Sequence, residues 1–294
     1  MILVIVLLII SFFIIKNLHL NQFSFKFIGE KNPHLISASY IPGYTAGLTF
    51  FIAVAATNLF HQGNWQRVYA AKNFVTLKKS LIFSFFIIIP IVFYTGFVGM
   101  VAFSIDPVTR PDLGFFSLLL KNNSTMLSLI VIILGLALTI STVDTLVNAI
   151  SSLIVVDGKA VIEFKKRKKI NYLKFSKYVI LLLSSISFFI ASKGFDILYL
   201  FLLADLFCCA FVFTIFYSFF DKRINEKTAY FSIIIGLIGG LLLFPSPDFS
   251  KSLLVGFLLS KELFTPFINQ SLLFVSFLIA TFLPLVVLKL TKFK

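Results

Sequence analysis

The sequence predicts an all-α integral membrane protein with about eight transmembrane helices. Of its 294 residues, 59% are hydrophobic and only 13% are charged, and the mean hydropathy is +1.01. A soluble domain is nearer half apolar and a quarter charged. The apolar residues fall into continuous runs of about 20, enough to cross roughly 30 Å of hydrocarbon as a helix. Continuous rather than alternating runs favour helices over a β-barrel, the other fold that satisfies backbone polar groups in lipid.

Eight apolar runs are predicted to cross the membrane, and residues 1–294 are predicted to form a single transmembrane domain. The runs are residues 1–15, 44–60, 81–103, 126–156, 178–192, 197–220, 230–244 and 271–288. Residues 112–123 have the pattern of a short amphipathic helix in an external loop, and residues 248–267 that of a surface or re-entrant segment. The first run lacks a basic start and a cleavage site, so it does not fit a signal peptide. Because it is short, we expect the chain to begin partway into a helix.

The distribution of positive charge predicts the orientation of the spans. A net charge of +14 could indicate a nucleic-acid partner, but in membrane proteins Lys and Arg collect on the cytoplasmic side. With a cytoplasmic N-terminus, segments 67–80, 157–177, 221–227 and 289–294 face the cytoplasm and carry 18 of the 26 basic residues. We therefore expect no nucleic-acid partner. The run from Lys165 to Lys169 marks one cytoplasmic loop, with contact to anionic lipid as a second role.

A polar cluster, residues 57–67 (TNLFHQGNWQR), closes the second predicted span. Amides and an imidazole are costly in hydrocarbon unless they line a cavity or pair with other groups, and Gly63 lowers helix propensity at the same point. Two interpretations stay open. The helix is unwound or kinked within the membrane, where free backbone groups bind ions and polar solutes. Alternatively, it simply leaves the membrane, with Trp65 and Arg67 at the interface.

A polar stripe follows the helical repeat along the fourth predicted span. It comprises Ser141, Asp144, Thr145, Asn148, Ser151 and Ser152, with Thr142 beside it. Hydroxyl oxygens suit a small cation, but they also bond to the carbonyl four residues earlier or help helices to pack closely. A carboxylate in a span is usually functional or paired. Asp144 therefore favours a stripe that lines a transport pathway.

Asp205, within the segment YLFLLADLF, is the only other acid in a predicted span. It could face the pathway, pair with a polar residue, or be protonated and silent. The sequence contains no P-loop, no HExxH motif and no Cys/His metal spacing. These absences argue against an ATP-driven pump and a zinc enzyme.

Three segments carry a resemblance to a known family. Residues 58–73 (NLFHQGNWQRVYAAKN) look like the signature after the sixth core helix of the sodium:solute symporter family. Residues 141–157 (STVDTLVNAISSLIVVD) resemble its eighth core helix, where a Ser/Thr pair recurs, and residues 199–207 resemble its tenth. The resemblance implies a leucine-transporter-like inverted-repeat fold. Residues 1–15 would be the end of the fifth core helix, 44–220 the second five-helix repeat, and 230–288 two accessory helices.

The resemblance also implies where ligands bind. Ser141 and Thr142 match the hydroxyl pair that ligates sodium, and the carbonyl of Leu138 matches a further ligand. We add Asp144 to the expected sodium ligands, because it lies one turn from the hydroxyl pair. The residues expected at the solute cavity are Asn58, Phe60, His61, Gln62 and Asp205.

The implied function is secondary active transport: sodium-coupled symport of a small polar organic solute by a multi-pass protein of the lipid bilayer, in the bacterial inner membrane. The resemblance implies no enzymatic activity. The family's first repeat is nearly all absent. We therefore expect a truncated or split symporter that transports only when a separate chain supplies the missing N-terminal helices.

Three alternatives stay open. A proton could replace sodium as the coupling ion, with Asp144 as its carrier. An intramembrane enzyme could use Asp144 and Asp205 as a dyad that shares one proton, although the glycine-flanked aspartates of such proteases are missing. A non-transporting membrane sensor or assembly subunit would bind a solute without moving it.

Overall fold

The computed structural model describes residues 2–18, 23–106, 113–120, 124–166, 171–221, 224–247, 252–254 and 270–291. Across these ranges the protein is built from α-helices, with one 3-10 turn at Pro33–Ile36 and one isolated antiparallel bridge between Pro245 and Ser252. The predicted all-α class is confirmed.

Eleven α-helices make up the described part of the chain. They are α1 (Ile2–Leu18), α2 (Phe25–Lys31), α3 (Ile41–Phe60), α4 (Gln62–Tyr69), α5 (Phe74–Ile105), α6 (Gly114–Leu120), α7 (Thr125–Lys166), α8 (Tyr172–Ala191), α9 (Ile197–Phe220), α10 (Glu226–Leu243) and α11 (Gln270–Thr291).

Seven of these helices, α3, α5 and α7–α11, are long and apolar enough to cross a membrane. Each coincides with one predicted span. The remaining predicted span, residues 1–15, falls in α1, whose apolar stretch Val4–Phe13 is shorter. The orientation of the spans stays a prediction.

Two helices extend beyond their predicted spans. α5 begins at Phe74 because the side chain of Asn73 caps it, accepting a hydrogen bond from the backbone N–H of Thr76. α7 continues past residue 156 to Lys166 through a segment rich in helix formers such as Ala, Glu and Lys. Its 42 residues give a length of roughly 60 Å. That length is about twice the hydrocarbon thickness, so one end of α7 reaches beyond the lipid core.

The loop predictions are only partly covered. The expected amphipathic helix at residues 112–123 is present as α6, although residues 112 and 121–123 lie outside the described ranges. Most of residues 248–267 also lies outside them. The sequence did not indicate α2, which begins after Ser24, whose hydroxyl accepts from the N–H of Phe27.

The helices form two compact units. The first unit, Met1–Ser39 and Gln62–Ser192, holds α1, α2 and α4–α8. Its core joins Leu7 of α1, Val98 of α5, Leu119 of α6 and Val131 of α7. A hydrogen bond of 2.8 Å between the hydroxyls of Ser11 and Tyr94 ties α1 to α5.

The second unit, Tyr40–His61 and Lys193–Lys294, holds α3 and α9–α11. Its closest helix contact lies between α10 and α11, where Gly236 and Gly240 form a GxxxG pattern. A Cβ atom on Gly240 would lie 2.8 Å from the Cβ of Ala280, and one on Gly236 would overlap Pro284. Ser276 donates a buried hydrogen bond of 2.7 Å to the Gly240 carbonyl. The glycines therefore allow the two backbones to approach closely.

We expect Gly240→Ala to destabilise the detergent-solubilised protein, because the added methyl group overpacks the contact between α10 and α11 at a cost of about 1–3 kcal/mol. Thermal unfolding should show a lowered midpoint. Gly99→Ala is the matched control, since a Cβ there meets no atom within 4 Å and alanine favours the helix. Equal midpoints for the two variants would contradict this account of the packing.

Candidate functional site

The polar cluster of residues 57–67 contains a break between two helices. α3 ends at Phe60 and α4 begins at Gln62, while His61 has φ −70 and ψ 103, an extended conformation. Gly63, which lowers helix propensity within the cluster, lies buried inside α4. The imidazole Nδ1 of His61 is buried and has no hydrogen-bond partner within the described ranges. The chain also passes from the second unit to the first at this point. The position of the break within the membrane stays a prediction.

The last turns of α3 place Phe60 and Asn58 on different faces. Phe60 packs its ring against Phe211 and Phe216 of α9, with centroid distances of 6.5 and 6.1 Å. Asn58 is exposed, and its side-chain amide donates a hydrogen bond of 2.8 Å to the carbonyl of Val54. Of these two candidates, Phe60 belongs to the apolar packing and Asn58 is exposed.

Asp205 is buried in the second unit and paired. It is 6% exposed, and its Oδ1 accepts a hydrogen bond of 2.5 Å from the hydroxyl of Thr57 on α3. Its other carboxylate oxygen makes no hydrogen bond with the residues that the structure describes. This pairing is one of the three alternatives that the sequence left open. Thr57 belongs to the polar cluster but was not among the candidate residues.

The first half of the polar stripe lies exposed on α7. Thr142 donates to the carbonyl of Leu138, and Thr145 donates to that of Ser141, each at 2.9 Å. Ser141, Thr142 and Asp144 are all exposed. Both threonines therefore bond to the preceding turn, as hydroxyls in helices commonly do. As a result, two expected sodium ligands, the Leu138 carbonyl and the Thr142 hydroxyl, lie next to each other.

The second half of the stripe is used in packing. Ser151 is buried, with its hydroxyl 3.3 Å from that of Ser176 on α8. The hydroxyl of Ser152 accepts a hydrogen bond of 2.8 Å from the side-chain amide of Gln66 on α4. Gln62 is the first residue of that helix. The stripe thus has an exposed half and a half that holds α4 and α8 against α7.

Carboxylates, imidazoles and thiols do not form a metal cluster in the ranges that the structure covers, since no three of them are grouped there. A cation at the exposed half of the stripe would instead meet hydroxyl, carbonyl and carboxylate oxygens. Such hard oxygen ligands suit alkali and alkaline-earth cations rather than transition metals.

Comparison with known families decides the class of protein. The sequence model of the sodium:solute symporter family matches residues 2–236. This match covers more than half of the chain and runs from α1 into α10. The chain belongs to the sodium:solute symporter family. Neither the curated proteins nor the solved structures contain a match. The symporter family implies sodium-coupled solute transport by a multi-pass membrane protein and indicates a transporter rather than an enzyme.

We expect the exposed half of the stripe to have more access to water than the rest of α7. In a chain with Cys208 and Cys209 replaced by alanine, Asp144→Cys and Asn148→Cys should react with a water-soluble maleimide about tenfold faster than Ser151→Cys. The reason is that maleimide reacts with the thiolate, which water stabilises. Ile140→Cys is the matched control, because Ile140 is exposed on α7 but apolar. If Ile140→Cys reacts as fast as Asp144→Cys, the polar face has no special access to water.

Proposed function

We propose that this symporter moves a small polar organic solute together with sodium across the bacterial inner membrane. In this proposal sodium binds at the Leu138 carbonyl, the hydroxyls of Ser141 and Thr142, and Asp144. The solute binds beside the break between α3 and α4, where the candidates are Asn58, Phe60, His61, Gln62 and Asp205.

The observation that carries the proposal is the exposed polar face on an otherwise apolar α7. An Asp at the centre of a membrane helix costs about 2.5–3.5 kcal/mol on insertion scales, and Asp144 is exposed. Hydroxyls that bond to the preceding turn still present lone pairs outward. These costs favour a face that meets water, an ion or a polar protein surface rather than lipid.

The proposed sodium ligands on α7 do not fill a cation shell. Hard cations take about six oxygens or more, and α7 offers one carbonyl, two hydroxyls and one carboxylate. Other helices must then supply the remaining oxygens. We propose that a separate chain contributes some of them.

The break at His61 supports a polar solute site. Interrupted membrane helices commonly bind transported ions and polar solutes at the interruption. Beside this interruption lie the amide of Asn58 and the imidazole of His61, which can donate and accept hydrogen bonds.

Coupling requires only that sodium and solute favour the same conformation. Each ligand then raises the affinity of the protein for the other by the same factor. In this proposal, sodium on α7 stabilises the outward-open state and thereby favours solute binding beside α3.

We expect Ser141→Ala combined with Thr142→Ala to raise the sodium concentration for half-maximal uptake by about tenfold or more. Losing a hydrogen-bonding oxygen next to a charge costs about 1.5–3 kcal/mol. Sodium titration of solute uptake in proteoliposomes measures the effect. Thr139→Ala is the matched control, since Thr139 is exposed on the same helix and bonds to the Gly135 carbonyl at 2.9 Å. An unchanged sodium requirement in the double variant would contradict the assignment.

Uptake of a panel of small polar solutes by proteoliposomes tests the proposal as a whole. We expect a sodium gradient to drive uptake of at least one solute when the chain is reconstituted with its partner chain. Robust uptake by this chain alone would contradict the need for a partner. Uptake driven equally well by a proton gradient in sodium-free buffer would contradict sodium coupling. Binding of a solute without uptake would point to a sensor.

A further inference from the structure

We infer that Asp205 is a positioning residue. Through Thr57 it fixes the rotation of α3 so that Asn58 faces the transport pathway. The inference rests on the proposed function, because it takes the end of α3 as part of the solute site.

Apart from the Thr57–Asp205 pair and a long contact of 3.9 Å from the Cys209 thiol to the Ile52 carbonyl, the buried residues along the seam between α3 and α9 are mostly apolar. On α3 the buried residues of this face include Ala53 and Ala56, and on α9 they are aliphatic or small, such as Leu202, Leu206 and Cys209. Apolar contacts are non-directional, and alanines leave a smooth surface that lets helices approach closely. This packing, together with the rings of Phe60, Phe211 and Phe216, holds the two helices together but offers little directional bonding to set the rotation of α3 about its axis.

The hydrogen bond from Thr57 to Asp205 is much shorter than the thiol contact and is therefore the stronger directional contact between α3 and α9. It joins residues that are 148 positions apart in the sequence, and it lies in the last turn of α3. A buried polar pair in an apolar helix interface is a known way to fix register at some cost in stability. A rotated α3 would lose this bond and leave the buried carboxylate without its donor.

The rotation of α3 decides where Asn58 points. Successive helical residues differ by about 100°, so Asn58 lies a quarter-turn or more from Thr57. With Thr57 held on Asp205, Asn58 is exposed on the outer face of α3. Turning the helix by one residue would exchange the two side chains and place an amide against the apolar seam.

A direct solute contact by Asp205 fits the structure less well than this indirect role. The side chain is 6% exposed, and one of its oxygens already accepts from Thr57. Thr57, in contrast, directly precedes Asn58 and lies one turn before His61. The carboxylate therefore acts on the site through α3.

Maleimide labelling of Asn58→Cys tests the inference without knowledge of the solute. The full chain in proteoliposomes carries this substitution together with Cys208→Ala and Cys209→Ala. We expect Thr57→Val to slow labelling about tenfold, corresponding to about 1.4 kcal/mol, because α3 rotates away from the pathway. Thr57→Ser, which keeps the hydroxyl donor, should label at the original rate. Asp205→Leu should behave as Thr57→Val does, and Asp205→Asn, which keeps an acceptor oxygen, should restore the rate.

The outcomes separate the inference from the proposed function. If Asn58→Cys does not label before any further change, the proposed solute pathway at α3 is wrong. If it labels, but Thr57→Val and Thr57→Ser do so equally fast, the pathway stands and the positioning role is overturned. If the Asp205→Leu variant fails to fold, the comparison of Thr57→Val with Thr57→Ser still tests the inference. Ser187→Cys on α8, which is exposed, should keep the same labelling rate in every background. A parallel fall there would mean a general loss of structure and would also overturn the positioning role.

Discussion

The cost of placing a hydroxyl or a carboxylate in hydrocarbon governs how this protein is arranged. Each polar group in a span needs a hydrogen-bond partner or a wet surface. The structure meets this need locally where Thr142 and Thr145 bond to the preceding turn. It meets the need between helices where Thr57 bonds to Asp205. Asp144 is exposed on α7, and in the proposed function water, an ion or another polar surface stabilises it. The cost of an unpaired carboxylate in lipid is what connects Asp144 with the proposed sodium site.

The class of fold could be predicted from the sequence because hydropathy is a local property summed over about 20 residues. All seven long apolar helices coincide with predicted spans. Their ends could not be predicted equally well, since a cap at Asn73 and good helix formers near Lys166 extend α5 and α7 past their apolar stretches. The division into two interleaved units was also beyond prediction, because it depends on contacts between α3 and helices more than 130 residues later.

The sequence predicted only those features of the candidate site that lie within a single helix, and not the contacts between helices. The helical repeat reveals the stripe on α7, but not that Ser151 and Ser152 pack against Ser176 and Gln66. The sequence left open whether the polar cluster contains a break, with Gly63 lowering helix propensity there, and the structure interrupts the helix at His61. Propensity differs by only about 1 kcal/mol between residues, so packing decides the position. The sequence offered no signal that Thr57 would be the partner of Asp205, because pairing across 148 positions follows from tertiary structure alone.

The close packing of α10 against α11 helps to hold Asp205 in place, so that its hydrogen bond with Thr57 can fix the rotation of α3. One hydrogen bond can fix a helix only if its acceptor is itself held in place. Within the second unit, the hydroxyls of Thr214 on α9 and Ser232 on α10 lie 3.2 Å apart, and Gly240 lets α10 meet α11 at backbone contact. Phe244 and Phe277 complete the core beneath α9. α9 is therefore held by close packing against α10 and α11, whereas α3 contacts α9 through alanines, the ring of Phe60, a long thiol contact and the Thr57–Asp205 hydrogen bond. The same unit thus combines a fixed acceptor with a helix whose rotation depends on it.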